Sequence, residues 1–270
     1  MWTAEQGPYL VTDVFTIPAG CTLTVEPGVI IKLNHAFPSI IVSGTLDMRG
    51  APDAPIVITS FKDDAVGGDT NGDGAASAPA PGDWQYLRTL DMGAFRAEHL
   101  RVSYGSNTFY GGGSSRASLI WTGGAELSLS STTLSHSAGR GVYQESGITT
   151  ILNSAISDNA GNGYEHRGGL TRISGSNLES DAPAYAVYNP TVADVADARG
   201  NWWGSPSGPM HSSNPGGSGA YVSDRALFEP WLLSDPFAPP EPSCCSSVAF
   251  IPGLEASRLY GPGAIFENQL

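Results

Sequence analysis

The sequence predicts an all-β fold of the solenoid type, a parallel β-helix, on three observations. Leu134, Ile156 and Leu178 recur at a constant interval of 22 residues, each in a segment of the same build: TTLSHSAGRGV, SAISDNAGNGY and SNLESDAPAYA. A fixed period within about 20–50 residues marks stacked repeats. This one is too short for two helices and a turn, and it suits a coil of three short strands with their bends. Apolar residues also come in brief runs, GVIIKL, SIIVSG and PIVITS among them, bounded by Gly, Pro, Asn or Asp as buried strands are. Finally, no window sustains a helical 3.6-residue pattern, and Gly and Pro number 34 and 20 of 270 residues. Short strands alone would allow a sandwich or a barrel; the constant interval singles out the solenoid.

The first coils are expected over residues 9–60, as YLVTDVFTIPAG, CTLTVEPGVIIKL, SIIVSGTLDMRG and APIVITSF. In IPAG and EPG the Pro presets φ and the Gly takes a left-handed conformation, which makes a tight corner. Residues 61–83, polar and rich in Gly and Pro, interrupt the coil as an excursion, and FYGGGSSRAS at 109–118 is a second one. With that insertion of ten residues removed, the 32-residue spacing from Val102 to Leu134 becomes one coil of 22. Leu134, Ile156 and Leu178 are expected to point inward and stack at about 4.8 Å per rung. Asn153, Ser154, Ser176 and Asn177 fall at the matching bend as turn formers. Trp202 and Trp203 are expected to cover the apolar end of the stack, since an uncovered last coil exposes its interior. The coil is placed over 8–233, followed by a Pro-rich linker, SDPFAPPEPS, at 234–243, and by a different segment at 244–270.

The run PYLVTDVFTIPAGCTLTVEPGVIIKL, continued by IIVSGTLDMRGAPDAPIVITSFKDD, resembles the N-terminal portion of right-handed parallel β-helix, pectin-lyase-like domains of bacterial secreted and surface proteins. ARGNWWGSPSGP and YVSDRALFEPWL resemble the last coils of the same group. The segment SSVAFIPGLEASRLYGPG resembles the opening strand and turn of a lipase-type α/β-hydrolase domain. That likeness implies an oxyanion-hole amide at Leu254, with Gly253 allowing close approach. No GxSxG occurs in the chain, so the resemblance implies a truncated hydrolase start that cannot transfer an acyl group alone.

Net charge is −13 with only two lysines, Lys32 and Lys62. The basic footprint that captures nucleic acid or an anionic membrane is missing, and no run of eighteen apolar residues is present to span a bilayer. Cys21, Cys244 and Cys245 make an odd set without metal spacing. MWTAEQGPYLVTD has neither a basic start nor an apolar core, so a secreted or cell-surface location implies a true start upstream of Met1. A monomer is expected.

The strongest local motif is DTNGDG: Asp69, Asn71 and Asp73 at positions one, three and five, then Gly74 for a sharp turn, as in the opening of a calcium loop. Position twelve is Ala80 rather than Glu, so Asp63, Asp64 and Asp83 are the carboxylates that would complete a Ca²⁺ site. An enzyme of the resembled fold would draw on Asp158, Glu165, His166 and Arg167, for which the alternative is polar side chains facing solvent on an alternating strand. A glycosidase needs two carboxylates about 5–5.5 or 6.5–9.5 Å apart; a lyase needs Ca²⁺ and a base, for which Arg167 is the candidate. Tyr143, Tyr164 and Tyr188 recur at near-coil intervals. Superposing the three inward residues sets Tyr164 beside Val142 and Ala186, partly buried, which leaves Tyr143 and Tyr188 as candidate sugar contacts.

Three functions follow as expectations. The first is a non-catalytic extracellular scaffold that binds polysaccharide or a cell surface and carries an esterase-like domain. The others are a polysaccharide lyase or glycosidase, and a calcium-stabilised spacer.

Overall fold

The computed structural model describes residues 1–34, 39–107, 116–180, 183–190 and 194–239. Gly253, Leu254, Cys244 and Cys245 therefore lie outside the described residues, as do most of the second excursion and the end of the expected linker. The chain divides into two compact units, Met1–Phe237 and Ala238–Leu270, and every described strand belongs to the first.

The chain winds through three sheets of seven, eight and eight strands, each strand hydrogen-bonded to its equivalents in the coils before and after. Among the described residues every strand pairing is parallel, so the architecture is a parallel β-helix, as the 22-residue interval predicted. One coil runs Thr133–Ser135, Arg140–Gln144, Ile148–Leu152 and then returns to the first sheet at Ala155–Ser157. Among the described residues no helix is long and apolar enough to cross a membrane.

The core is built of files rather than layers. On the first sheet Ile31, Ile58, Val102, Leu134, Ile156 and Leu178 stack in register, each at most 1% exposed. Val102 pairs with Leu134, the residue that the 22-residue interval assigns to it once the ten-residue insertion is removed. A different file lines the corner between the second and third sheets. Thr89, Thr122, Gln144 and His166 stack there, facing Thr149 and Thr171, and all six are buried. The interior is thus apolar along one corner and hydrogen-bonded along another, where Thr89 Oγ1 donates to Thr122 Oγ1 at 2.8 Å.

The bend into the first sheet repeats at Ser131, Asn153, Gly175 and Gly200, all with positive φ between 48° and 71°. The residues that follow them form a buried ladder. The Thr132 amide donates to Ser154 Oγ (3.1 Å), the Ser154 amide to Ser176 Oγ (3.1 Å), and the Ser176 amide to Asn201 Oδ1 (2.9 Å). Asn153, Ser154 and Ser176 thus sit at the bend as expected, whereas Asn177 lies in a strand opposite Ala155 and Gly175 takes the left-handed place. At the bend into the third sheet, Gly147 (φ +81°) passes so close to the coil below that a Cβ there would lie 1.9 Å from the Gly124 carbonyl oxygen. Trp203 is fully buried against the last coil and Trp202 bridges to Asn177, so the two tryptophans sit at the end of the stack.

The excursion after Ile56–Ser60 is tied to the outside of the first sheet. Lys32, wholly buried, donates from Nζ to the carbonyls of Asp63 (2.9 Å) and Gly68 (2.6 Å). Burial pushes its ammonium below the ordinary lysine value, partly opposed by Asp63, Asp64 and Asp69.

Candidate functional site

Inward and outward side chains alternate along each strand, so the register that stacks Leu87, Ile120, Val142, Tyr164 and Val187 inward stacks their neighbours outward. The outward row on the second sheet reads Arg88, Trp121, Tyr143, Glu165, Tyr188. Its central members are roofed by arginines. The Arg88 guanidinium carbon lies 3.6 Å from the Trp121 ring centroid, that of Arg116 lies 5.2 Å from the same ring, and that of Arg140 lies 5.5 Å from the Tyr143 ring. Trp121 Nε1 donates to Glu145 Oε2 at 2.9 Å, and Arg116 pairs with the other oxygen of Glu145 at 3.2 Å.

Glu165 is fully buried in this row. Its carboxylate accepts from Arg140 Nε, from Arg167 Nε (2.7 Å) and Nη2 (2.5 Å), and from Asn162 Nδ2 (3.0 Å). The reading of Glu165 and His166 as solvent-facing is corrected: arginines cover the first and the interior encloses the second. His166 Nδ1 lies 2.9 Å from Thr171 Oγ1, and its Nε2 is buried without a partner. Burial pushes the imidazole below 6.5, with the Asp194 carboxylate opposing. Tyr164 pairs with Val142 and with Val187, one residue beyond the expected Ala186, and is wholly buried rather than partly so. Burial drives its hydroxyl well above the ordinary tyrosine value; Thr171 Oγ1 lies 2.9 Å away, and the hydroxyl also donates to Gln144 Oε1.

Of the two tyrosines selected from the sequence, Tyr143 is 7% exposed beneath Arg140, while Tyr188 ends the row at an open cleft of about 490 Å³. Tyr185 stacks on Tyr188 with centroids 5.0 Å apart, and Tyr221 meets Tyr185 edge-on at 6.1 Å. Asn189, His211, Asp224 and Arg225 supply the polar rim. His211 Nε2 lies 3.0 Å from Asp224 Oδ1, and its Nδ1 lies 2.8 Å from Ser213 Oγ. Asp158 stands elsewhere, at a left-handed bend (φ 54°), lining a second cleft of about 340 Å³ with Glu179. Glu165 lines neither cleft, so the two sequence-selected carboxylates do not share either of them.

No family model, curated protein or solved structure matches the chain.

In the acidic excursion one carboxylate oxygen each from Asp64, Asp69 and Asp73 falls within a 4.8 Å cluster. Asp69 accepts from the amides of Gly74 (2.9 Å) and Gly72 (2.7 Å), which hold its carboxyl below the usual range, the Gly74 amide most strongly. Asn71 Nδ2 donates to Asp73 Oδ2 at 2.9 Å. Asp63 and Asp83 are engaged by the protein instead. Thr59 Oγ1 donates to Asp63 (2.6 Å), and Ser60 Oγ (2.6 Å) and Lys62 Nζ (2.7 Å) donate to Asp83. Three of the six expected ligands, Asp64, Asp69 and Asp73, form the metal-sized cluster.

Arg88, Arg116, Trp121, Tyr185 and Tyr221 were missed by sequence reasoning. A signal existed, because Trp121, Tyr143 and Glu165 are themselves 22 residues apart. Counting that interval from Tyr143 separates the outward row from the inward Tyr164.

Proposed function

We propose that the chain is a non-catalytic, pectin-lyase-like β-helix scaffold, secreted or displayed at a cell surface, that binds carbohydrate at the tyrosine cleft. In this reading the lipase-type segment at 244–270 begins the esterase-like domain that the scaffold carries. The observation that supports it best is the trio Tyr185, Tyr188 and Tyr221 around an open cleft, rimmed by Asn189, His211, Asp224 and Arg225. Flat aromatic faces pack on the apolar faces of sugar rings, and a few polar groups at the rim fix orientation through hydroxyls. The burial of Glu165 under Arg140 and Arg167 favours binding over glycoside cleavage by the Asp158 and Glu165 pair, since that chemistry needs two carboxylates open to one bond.

The test is a titration of the chain against neutral and charged glycans, with reducing-end and unsaturated-product assays run beside it. Tyr188→Ala and Tyr221→Ala should each weaken binding by about tenfold, the worth of one lost stacking contact. Absence of binding to any glycan, or variants that bind like the parent, would refute the cleft; new reducing ends or unsaturated products would turn the reading to an enzyme.

A second reading concerns the excursion, where the cluster of Asp64, Asp69 and Asp73 supports Ca²⁺ as a bound, stabilising ion. Hard carboxylate oxygens around a Gly-rich turn suit that cation, and the amides that keep Asp69 ionised favour its capture.

A further inference from the structure

Four rungs from Tyr188, with Ile41 on its far side, the outward row carries a cation, Arg88, that has no ion pair among the described residues. The Arg88 guanidinium carbon lies 3.6 Å from the Trp121 ring centroid, and its buried Nε has no hydrogen-bond acceptor among the described residues. The carboxylate bonded to the same indole, Glu145, is already taken: Trp121 Nε1 and Arg116 hold its two oxygens. Glu165, three rungs from Arg88, is taken in turn by Arg140 and Arg167. The row and its flanks therefore carry four arginines, Arg88, Arg116, Arg140 and Arg167, against two glutamates, Glu145 and Glu165, on a protein whose net charge is −13.

A buried guanidinium nitrogen without an acceptor costs free energy, and the excess of acidic residues elsewhere on the chain makes an uncompensated arginine here the more unusual. The indole holds the guanidinium in place, and the Nη nitrogens, rather than the buried Nε, are the donor edge that would receive a planar or tetrahedral oxyanion through paired N–H bonds. Arg116, against the same indole, adds a second positive charge to the corner.

We propose that the Arg88–Trp121–Arg116 corner is an oxyanion receptor, taking a carboxylate, sulfate or phosphate group borne by the glycan that occupies the tyrosine cleft. The inference rests on the carbohydrate reading above and adds to it the chemical class of the ligand. From Tyr188 to Arg88 the row crosses four rungs, about 19 Å at the spacing of hydrogen-bonded strands. A polymer stacked on Tyr188 and laid along the row would place a later residue's anionic group at Arg88.

The experiment uses the whole chain and one polymer backbone in four forms: dextran, carboxymethyl-dextran, dextran sulfate and dextran phosphate. At least one charged form should bind tenfold or more tighter than dextran, and which one does so identifies the anion. Arg88→Gln should remove that advantage and leave the affinity for neutral dextran unchanged; Arg88→Lys, which keeps the charge and loses the planar fork, should restore only part of it. Tyr188→Ala should weaken neutral and charged forms alike. A charge advantage that survives Arg88→Gln would overturn the receptor while leaving the tyrosine cleft standing.

Should no form of the polymer bind, the carbohydrate reading fails, and the receptor is judged on inorganic sulfate and phosphate by the ¹⁵N–¹H resonance of Arg88 Nε, assigned by its loss in Arg88→Gln. A saturable shift of that resonance supports the corner as an oxyanion site; its absence refutes it. Melting curves for the variants guard against unfolding as the cause of any loss.

Discussion

His166 carries a pH dependence that follows from where its strand points it. The alternation that turns Glu165 outward turns His166 into the hydrogen-bonded corner beside Thr171, where burial favours the neutral imidazole. Its folded value is depressed below 6.5, so between that value and 6.5 the unfolded chain binds more protons than the folded one. Stability contributed by the neutral ring is therefore complete above 6.5 and is lost as pH falls toward the depressed folded value. We expect the melting temperature to drop between pH 7 and pH 5, and the drop to shrink in His166→Gln, which keeps polar atoms near Thr171 but does not titrate. Equal drops in both proteins would show that the ring is not the linked group. The sequence could not reveal this, because YEHR alternates like any half-exposed strand and the arginines that roof its outer face come from other rungs.

The same limit applies to Glu165. Read alone it is an acid among polar neighbours, available for catalysis; in the fold it is a buried anion neutralised by two guanidinium groups. Breaking a buried, hydrogen-bonded pair leaves an uncompensated charge. Arg140→Ala should thus lower the melting temperature, and Arg140→Ala combined with Glu165→Gln should recover part of the loss. No recovery in the double variant would mean that Arg140 acts through its packing on Tyr143 alone.

At the scale of the element, the bend into the first sheet shows what the sequence makes legible. Asn153 and Ser154 could be read as turn formers from residue type, and the positive φ of Asn153 and the hydrogen bond from the Ser154 hydroxyl to the Leu152 carbonyl bear that reading out. The ladder could not, since it joins residues from successive coils and its members change identity from Thr132 to Ser154, Ser176 and Asn201. Ser154→Ala would leave the Thr132 amide buried and unpaired, at a cost of about 1–3 kcal/mol. A denaturant midpoint unchanged in Ser154→Ala would show that the ladder adds no stability.

The acidic excursion was legible as a motif and only half legible as a site, for a related reason. Asp69 and Asp73 sit in one turn, Asp64 joins them by the fold of the loop, and Asp63 and Asp83 turn toward Thr59, Ser60 and Lys62 instead. Removing Ca²⁺ with chelator should lower the melting temperature, and Asp69→Ala with Asp73→Ala should abolish the response to the ion. An identical melting curve with and without chelator would reduce the loop to a solvated turn anchored by Lys32.

For the molecule as a whole, the stacked files make stability a sum of near-neighbour contacts along one axis. Leu134 packs directly on Ile156 in the next coil, each at 1% exposure, whereas Ile31 and Ile173 are separated by four rungs, about 19 Å. Each of these side chains, cut to alanine, should cost about 2–5 kcal/mol through lost burial and an unfilled cavity. The costs of Leu134→Ala and Ile156→Ala should not add, because the two cavities merge and the coils around them relax together; a coupling of about 0.5–3 kcal/mol is expected. The costs of Ile31→Ala and Ile173→Ala should add to within about 0.5 kcal/mol, since the coils between them touch both sites but neither site touches the other. Double-mutant cycles in urea measure both quantities, provided the slope with denaturant stays constant through the series. Strong coupling of the distant pair would mean that the coils unfold as one body with a shared interior rather than rung against rung, and the repeat that reveals the fold would not be the unit that holds it together.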